Sequence, residues 1–207
     1  MNSLVSHINA SYSEEQLKVT KEFKKDESVY QQGDPAVKYY RVVRGIVIIG
    51  SITEEGKMIF KSLIHEGEFF GDEVIGGLNT RLNFALAFSN EILIEEYKES
   101  NFWHSLNHQK TVLQSALRRN LTLQSIMESN ASLSVEERVK QFLKELASKK
   151  SIKLLTGEQM VRMHLKHKEI AFICNSSRQC VSSIISSFQK QGKLRMDRSS
   201  FVISPEF

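Results

Sequence analysis

The sequence predicts an α+β fold, with short strands first and helices after. Three observations predict it. Residues 28–71 alternate short apolar runs with glycine-containing breaks. Residues after Ser100 shift to helical spacing. The C-terminal third then turns basic: residues 134–207 carry 14 Lys+Arg and 7 Asp+Glu, net +7, leaving 14 basic and 17 acidic residues, net −3, in residues 1–133. A basic end on a mildly acidic body suits contact with a polyanion.

The first elements follow from these patterns. Leu4, Ile8 and Leu17 among polar residues read as a helix over residues 4–25. Tyr39–Val43, Ile46–Ile52 and Met58–Ile64 are rich in β-branched and aromatic residues, with Phe84–Phe88 and Ile92–Tyr97 as closing strands. Several short strands with regular turn signals argue an antiparallel sandwich or barrel. Glu54-Glu55-Gly56-Lys57 is a hairpin loop in which Gly56 is free to take a positive φ.

Within this unit, "GEFFGDEVIGGLNTRLNFALA", residues 67–87, holds four glycines, three acids and one arginine. The stretch has the make-up of a cradle for an anion.

The next segment, 101–130, places Leu113, Ala116, Asn120, Leu123 and Met127 at alternating spacings of three and four. Such a seam favours helix pairing between two subunits, with Asn120 setting register. Leu117 and Leu121, on the neighbouring face, could pack against the body; the alternative to pairing is an ordinary core helix of a monomer. Ser129 to Ser132 should break the helix and form a hinge. "SVEE" then starts another helix, Ser134 capping it and Glu137 reaching back. Val139, Phe142, Leu143 and Leu146 supply its apolar face.

Residues 165–194, "LKHKEIAFICNSSRQCVSSIISSFQKQGKL", have helix-turn-helix spacing. Ala171 allows a close helix crossing, and Asn175 tolerates the left-handed turn. Ile170, Ile173, Val181, Ile184 and Ile185 form a shared core. The second helix begins at Ser177 and presents Arg178, Gln179, Ser182, Ser183 and Ser186. Arginine can bond a guanine edge twice and glutamine an adenine edge, and short serines let the helix lie deep in a groove. Lys166, His167 and Lys168, with Ser177 at the helix start, would hold phosphates. "KLRMDRSSFVI" reads as a two-stranded wing with Arg195 and Arg198 placed for phosphate contact.

With these residues in view, the chain resembles the Crp/Fnr family of bacterial transcription regulators, that of the catabolite activator and the fumarate–nitrate regulator. The resemblance runs from about residue 20 to the end. It rests on "YQQGDPAVKYYRVVRGIVIIGSITEEGKMIF", "GEFFGD", Arg118-Arg119, "ERVKQFL" and "HKEIAFICNSSRQCVSSII". It implies a cyclic-nucleotide-binding-type β-barrel of the jelly-roll kind over residues 1–100, a dimerisation helix over 101–130 and a winged helix-turn-helix over 134–207. It further implies a cytoplasmic homodimer on a palindromic DNA site, in contact with RNA polymerase. Arg178 matches the family's guanine-reading arginine. Gln179 and Ser183 replace a glutamate and an arginine of the catabolite activator, so the operator should differ.

The resemblance also names an effector cassette. Cyclic-nucleotide binders of the family use a Gly-Glu pair followed by Arg-Ser or Arg-Thr. Gly71 and Arg81 match; Asp72 stands for the glutamate, Leu82 for the hydroxyl, and Glu73 adds a negative charge. Leu123 and Gln124 occupy the positions where the activator bonds the base with threonine and serine. Each lost hydrogen bond to a charged group costs about 1.5–3 kcal/mol. The expectation is a regulator with no cofactor, an unknown effector and no dependence on cyclic AMP, with Arg81 paired to Asp72 or Glu73. The alternative is a cyclic-nucleotide response through the retained Gly71 and Arg81.

Other classes fit less well. No apolar run reaches the 18 residues a membrane span needs, and the N-terminus lacks the pattern of a secretory signal. A cupin-like metal enzyme needs clustered ligands such as H-x-H, and His7, His65, His104, His108, His164 and His167 are scattered. Cys174 and Cys180 are too few for an iron–sulfur cluster; Cys174 reads as a core residue and Cys180 as the more exposed.

Overall fold

The computed structural model describes residues 18–207. Among them, eight strands build the first unit: β1 (Lys18–Lys24), β2 (Ser28–Tyr30), β3 (Lys38–Arg44), β4 (Val47–Ile52), β5 (Met58–Ile64), β6 (Phe69–Phe70), β7 (Phe84–Ala87) and β8 (Glu91–Lys98). They form two antiparallel sheets, ordered β1-β8-β3-β6 and β2-β7-β4-β5. Tyr40, Val42, Val47, Ile49, Phe70 and Ile94 are buried in one cluster between them.

Of the sandwich or barrel that the strand pattern allows, the unit is a sandwich of two open sheets. Strand β6 is the reason at one edge. It ends after two residues because Gly71, at φ 70°, turns the chain into a single 3-10 turn over Asp72–Val74. A positive φ of this kind suits glycine, which has no Cβ to clash.

The helix expected over 4–25 is corrected in its described part, since Lys18–Lys24 is a strand; residues 4–17 lie outside the described residues. Strand β1 runs antiparallel to β8, Lys18 opposite Tyr97 and Lys24 opposite Glu91. Lys18 lies 2.6 Å from Glu95, and Lys21 lies 3.0 Å from Glu96. Cross-strand opposite charges stabilise the pairing. Their partners are far away in sequence, so local spacing could not reveal them.

A short helix, α1 (Glu99–Phe102), leads into α2 (Leu106–Ser132). The expected break at Ser129 to Ser132 does not occur. Ser132 Oγ donates to the Glu128 carbonyl at 2.7 Å, so the serine is accommodated within the last turn. The chain leaves the helix at Leu133, whose backbone is extended. Then α3 (Val135–Lys150) begins with the expected capping box: Ser134 Oγ accepts from the Glu137 amide and Glu137 accepts from the Ser134 amide.

On α2, the inward face is set by other residues than expected. Val112 and Ser115 face the body, Ser115 Oγ accepting from the Phe69 amide at 3.1 Å. Ala116 and Leu123 are half-buried. Leu117 and Leu121, expected against the body, are instead 66% and 65% exposed, beside Leu113 at 54% and Met127 at 71%. Asn120 is exposed with them. The inward anchors at 112, 115 and 119 set the rotation of the helix and turn 117 and 121 outward.

The C-terminal unit adds β9 (Ser151–Lys153), β10 (Gln159–Val161), α4 (His167–Ile173), α5 (Arg178–Lys190), β11 (Leu194–Met196) and β12 (Phe201–Ile203). The expected two-stranded wing is half of a four-stranded sheet, β11-β12-β10-β9. The outer hairpin is hard to see in the sequence because its strands are only three residues long and half polar.

Val139, Leu143, Ile170, Val181, Ile185 and Phe201 fill the core of this unit, which continues onto the first unit through Ile46, Ile48 and Phe88. Phe172 meets Phe60 edge-on at 5.8 Å between centroids and stacks with Phe84 at 6.3 Å. Ion pairs flank this contact: Lys25–Glu169 at 3.1 Å, Lys166–Asp26 at 2.7 Å and Lys150–Glu66 at 2.7 Å. No helix among the described residues is long and apolar enough to cross a membrane.

Candidate nucleic-acid interface and effector cassette

Helices α4 and α5 are held at a fixed angle by their turn. Asn175 takes φ 46°, and the Ser176 amide donates to the Ala171 carbonyl at 2.9 Å. Ala171 is buried, as the close crossing requires. Arg138 on α3 fastens the turn from below: Nε donates to the Cys174 carbonyl at 3.0 Å and Nη1 to the Leu133 carbonyl at 2.7 Å. Glu169 is buried; it accepts from the Lys166 amide at 2.7 Å and closes the start of α4. Burial pushes the Cys174 thiol up to about 12, so at neutral pH it stays protonated inside the core.

The start of α5 is offered to solvent. Ser177 Oγ accepts from the Cys180 amide at 3.1 Å and caps the helix. Arg178, Gln179, Ser183 and Ser186 are exposed. Neither the Arg178 nor the Gln179 side chain makes a hydrogen bond or ion pair among the described residues. Ser183 Oγ donates back to the Gln179 carbonyl at 3.2 Å. Lys168 and Arg198 are likewise without an ion-pair partner among the described residues.

Other expected contact residues are engaged inside the chain. Ser182 is half-buried and bonded to His167 Nδ1 at 2.7 Å, so this pair ties α4 to α5. Lys166 reaches across the unit boundary to Asp26, and that hydrogen bond holds the Asp26 carboxyl below its usual range. Arg195 makes two bonds to Glu158, at 2.7 and 3.0 Å. The unexpected β9–β10 hairpin carries Glu158 to that place. A phosphate would have to displace a carboxylate at Lys166 and at Arg195.

The cassette is closed in a similar way. Arg81 is 2% exposed. Its Nη1 donates to the Gly71 carbonyl at 2.7 Å and to Glu73 at 3.1 Å, and its Nη2 donates to the Lys38 carbonyl. The guanidinium carbon stands 4.3 Å from the Tyr30 ring centroid, and Tyr30 stacks with Tyr40 and Phe70. Asp72 turns the other way, to Arg119, which also donates to the Phe69 carbonyl.

Gly71, Glu73 and Arg81 are thus brought together. Leu82 is exposed, Leu123 is half-buried, and Gln124 is exposed and bonded to Asn120 at 3.2 Å. Sequence reasoning missed Tyr30, Tyr40 and the role of Arg119. The Arg118-Arg119 pair was the visible signal for the last.

The family model for the cyclic nucleotide-binding domain matches residues 20–88, and that for the Crp-like helix-turn-helix domain matches residues 137–205. The chain belongs to the Crp/Fnr family of transcription regulators. Among curated Crp/Fnr relatives, it is 28% identical over 188 residues to the transcriptional regulator SdrP of Thermus thermophilus, covering 87% of each chain. Two solved structures from Thermus thermophilus share its fold. A CRP/FNR-family transcriptional regulator matches with TM-score 0.74 at 23% identity, over 89% of this chain and 93% of that one. A CRP-family regulator matches with TM-score 0.77 at 22% identity, over 88% and 91%. In this Crp/Fnr chain, the helix-turn-helix model spans α4, α5 and the wing.

Proposed function

We propose that this Crp/Fnr regulator is a cytoplasmic homodimer that reads a palindromic DNA site and contacts RNA polymerase there, without cyclic AMP as its signal. The observation that carries this reading is the free start of α5. Arg178 and Gln179 have no intramolecular partner among the described residues, on a helix whose opposite face is locked into the core. A rigid helix with unspent donors suits base-edge recognition in the major groove.

Pairing of two chains is supported by the exposed stripe Leu113, Leu117, Leu121 and Met127 on α2. A twofold pair of reading helices needs half-sites one helical turn apart, about 34 Å. Independence from cyclic AMP is supported by the internal partners of Arg81. The test is selection of bound fragments from random DNA. The expected outcome is a symmetric motif with a purine preference opposite Arg178; recovery of no motif above bulk DNA would refute the reading.

A further inference from the structure

A cleft of about 310 Å³ opens between β5, α2, α3 and the end of α4. Neither Gly71 nor Arg81 lines it, and it meets the cassette only through Arg119, which holds Asp72. Its size falls at the small end of the roughly 300–1,000 Å³ typical of ligand sites. One side is apolar, with Phe60, Ile126 and Phe142. The charged lining is Arg118, Arg119, Arg138 and Lys149 with Glu68 and Glu145; Arg119 is paired to Asp72 and Lys149 to Glu145, while neither the Arg118 nor the Arg138 guanidinium has a carboxylate partner among the described residues. Arg41, Arg44, Arg81, Arg119 and Arg195 each lie in an ion pair, and the other arginines without one among the described residues, Arg162, Arg178 and Arg198, do not line the cleft. Two unneutralised guanidiniums facing an apolar wall match an organic anion with an apolar body, bound through charge-assisted hydrogen bonds.

The cleft is also placed to be felt by the reading helix. Arg138 holds the Cys174 carbonyl at the end of α4, and Cys174 itself lines the cleft. An anion drawing on Arg138 would shift the turn that orients α5. We propose that this interdomain cleft is an effector site for a small amphipathic organic anion, carboxylate, sulfonate or phosphate, whose binding alters DNA affinity through Arg138. The coupling rests on the DNA-binding reading above; the binding does not.

The test uses the full chain and the dye 8-anilinonaphthalene-1-sulfonate, an aryl sulfonate, as probe. Fluorescence titration should saturate near one dye per chain. Arg118→Gln, at an exposed position with no ion-pair partner to lose, should weaken dye binding about tenfold or more. Ser125→Trp, which fills the cleft from α2, should abolish it over the same range. No saturable binding, or binding unchanged in both variants, would overturn the site. In the same samples, saturating dye should change the affinity for the selected DNA at least threefold in the wild type and not in Ser125→Trp. An unchanged affinity overturns the coupling. Absence of DNA binding without dye would instead count against the earlier reading and leave the site standing on the dye titration.

Discussion

The Arg81 guanidinium lies 3.1 Å from the Glu73 carboxylate, inside the fold and against the Tyr30 ring. A phosphate arriving there would have to displace a carboxylate and two carbonyls that engage both Nη atoms, only the buried Nε being without a partner. It would also enter beside the charge of Glu73. Titration of the purified chain with cyclic AMP in a calorimeter should therefore show no saturable heat in the micromolar range. A clear isotherm there would show that the internal partners yield, and the cassette reading would fail.

At the reading helix, Arg178 and Lys168 should separate specificity from affinity. Arg178→Ala should cost about 1–3 kcal/mol and relax one base position, whereas Lys168→Ala should weaken all sequences alike. Lys166 behaves differently because Asp26 competes with phosphate for it. A partly exposed pair is worth about 0.2–1 kcal/mol. Asp26→Asn should then tighten DNA binding by roughly 1.4–5-fold, more at low salt. Anisotropy titrations at two salt concentrations check all three substitutions.

The elements most legible in the sequence were those with local signals. Gly56 marks the β4–β5 loop, Ser134 and Glu137 mark the start of α3, and Asn175 marks the turn before α5. What could not be read depends on partners distant in sequence. Lys18–Lys24 becomes a strand through Glu95 and Glu96, and Arg195 is occupied because an unforeseen hairpin presents Glu158. The site divides in the same manner. Arg178 and Gln179 stand where the helix pattern places them and Arg81 pairs with Glu73 as expected, while the fate of Lys166 was decided by docking and the burial of Arg81 by aromatic packing around Tyr30.

The stripe on α2 makes oligomeric state testable at one residue. Leu117 is 66% exposed in the single chain. Burying a leucine side chain contributes about 1.5–3 kcal/mol, and a twofold interface counts each residue twice. Leu117→Glu should thus weaken dimerisation by roughly 3–6 kcal/mol, about 10²–10⁴ in the dimer Kd. Sedimentation velocity should show a monomer at concentrations where the wild type is paired. Far-UV circular dichroism should be unchanged, because the side chain does not contribute to either core. An unaltered dimer would move the interface elsewhere.

His65 gives the chain a pH response at the joint between its units. Lys149 Nζ lies 3.1 Å from Nε2, so Nε2 must accept and the ring proton must sit on Nδ1, which is buried without a partner. Burial first, and the Lys149 charge second, push the imidazole below its usual 6.5; Lys150 adds to this, while Glu68 and Glu145 oppose it. The unfolded chain therefore takes up this proton at a higher pH than the folded one. Stability must fall as pH drops below 6.5, and must recover as pH rises back through it. Thermal midpoints measured from about pH 7.5 to 5.5 should decline, a range chosen to lie above the usual carboxylate titrations. His65→Gln should flatten that slope, since an amide can still accept from Lys149 but takes no proton. A decline of equal steepness in the variant would assign the response to another group.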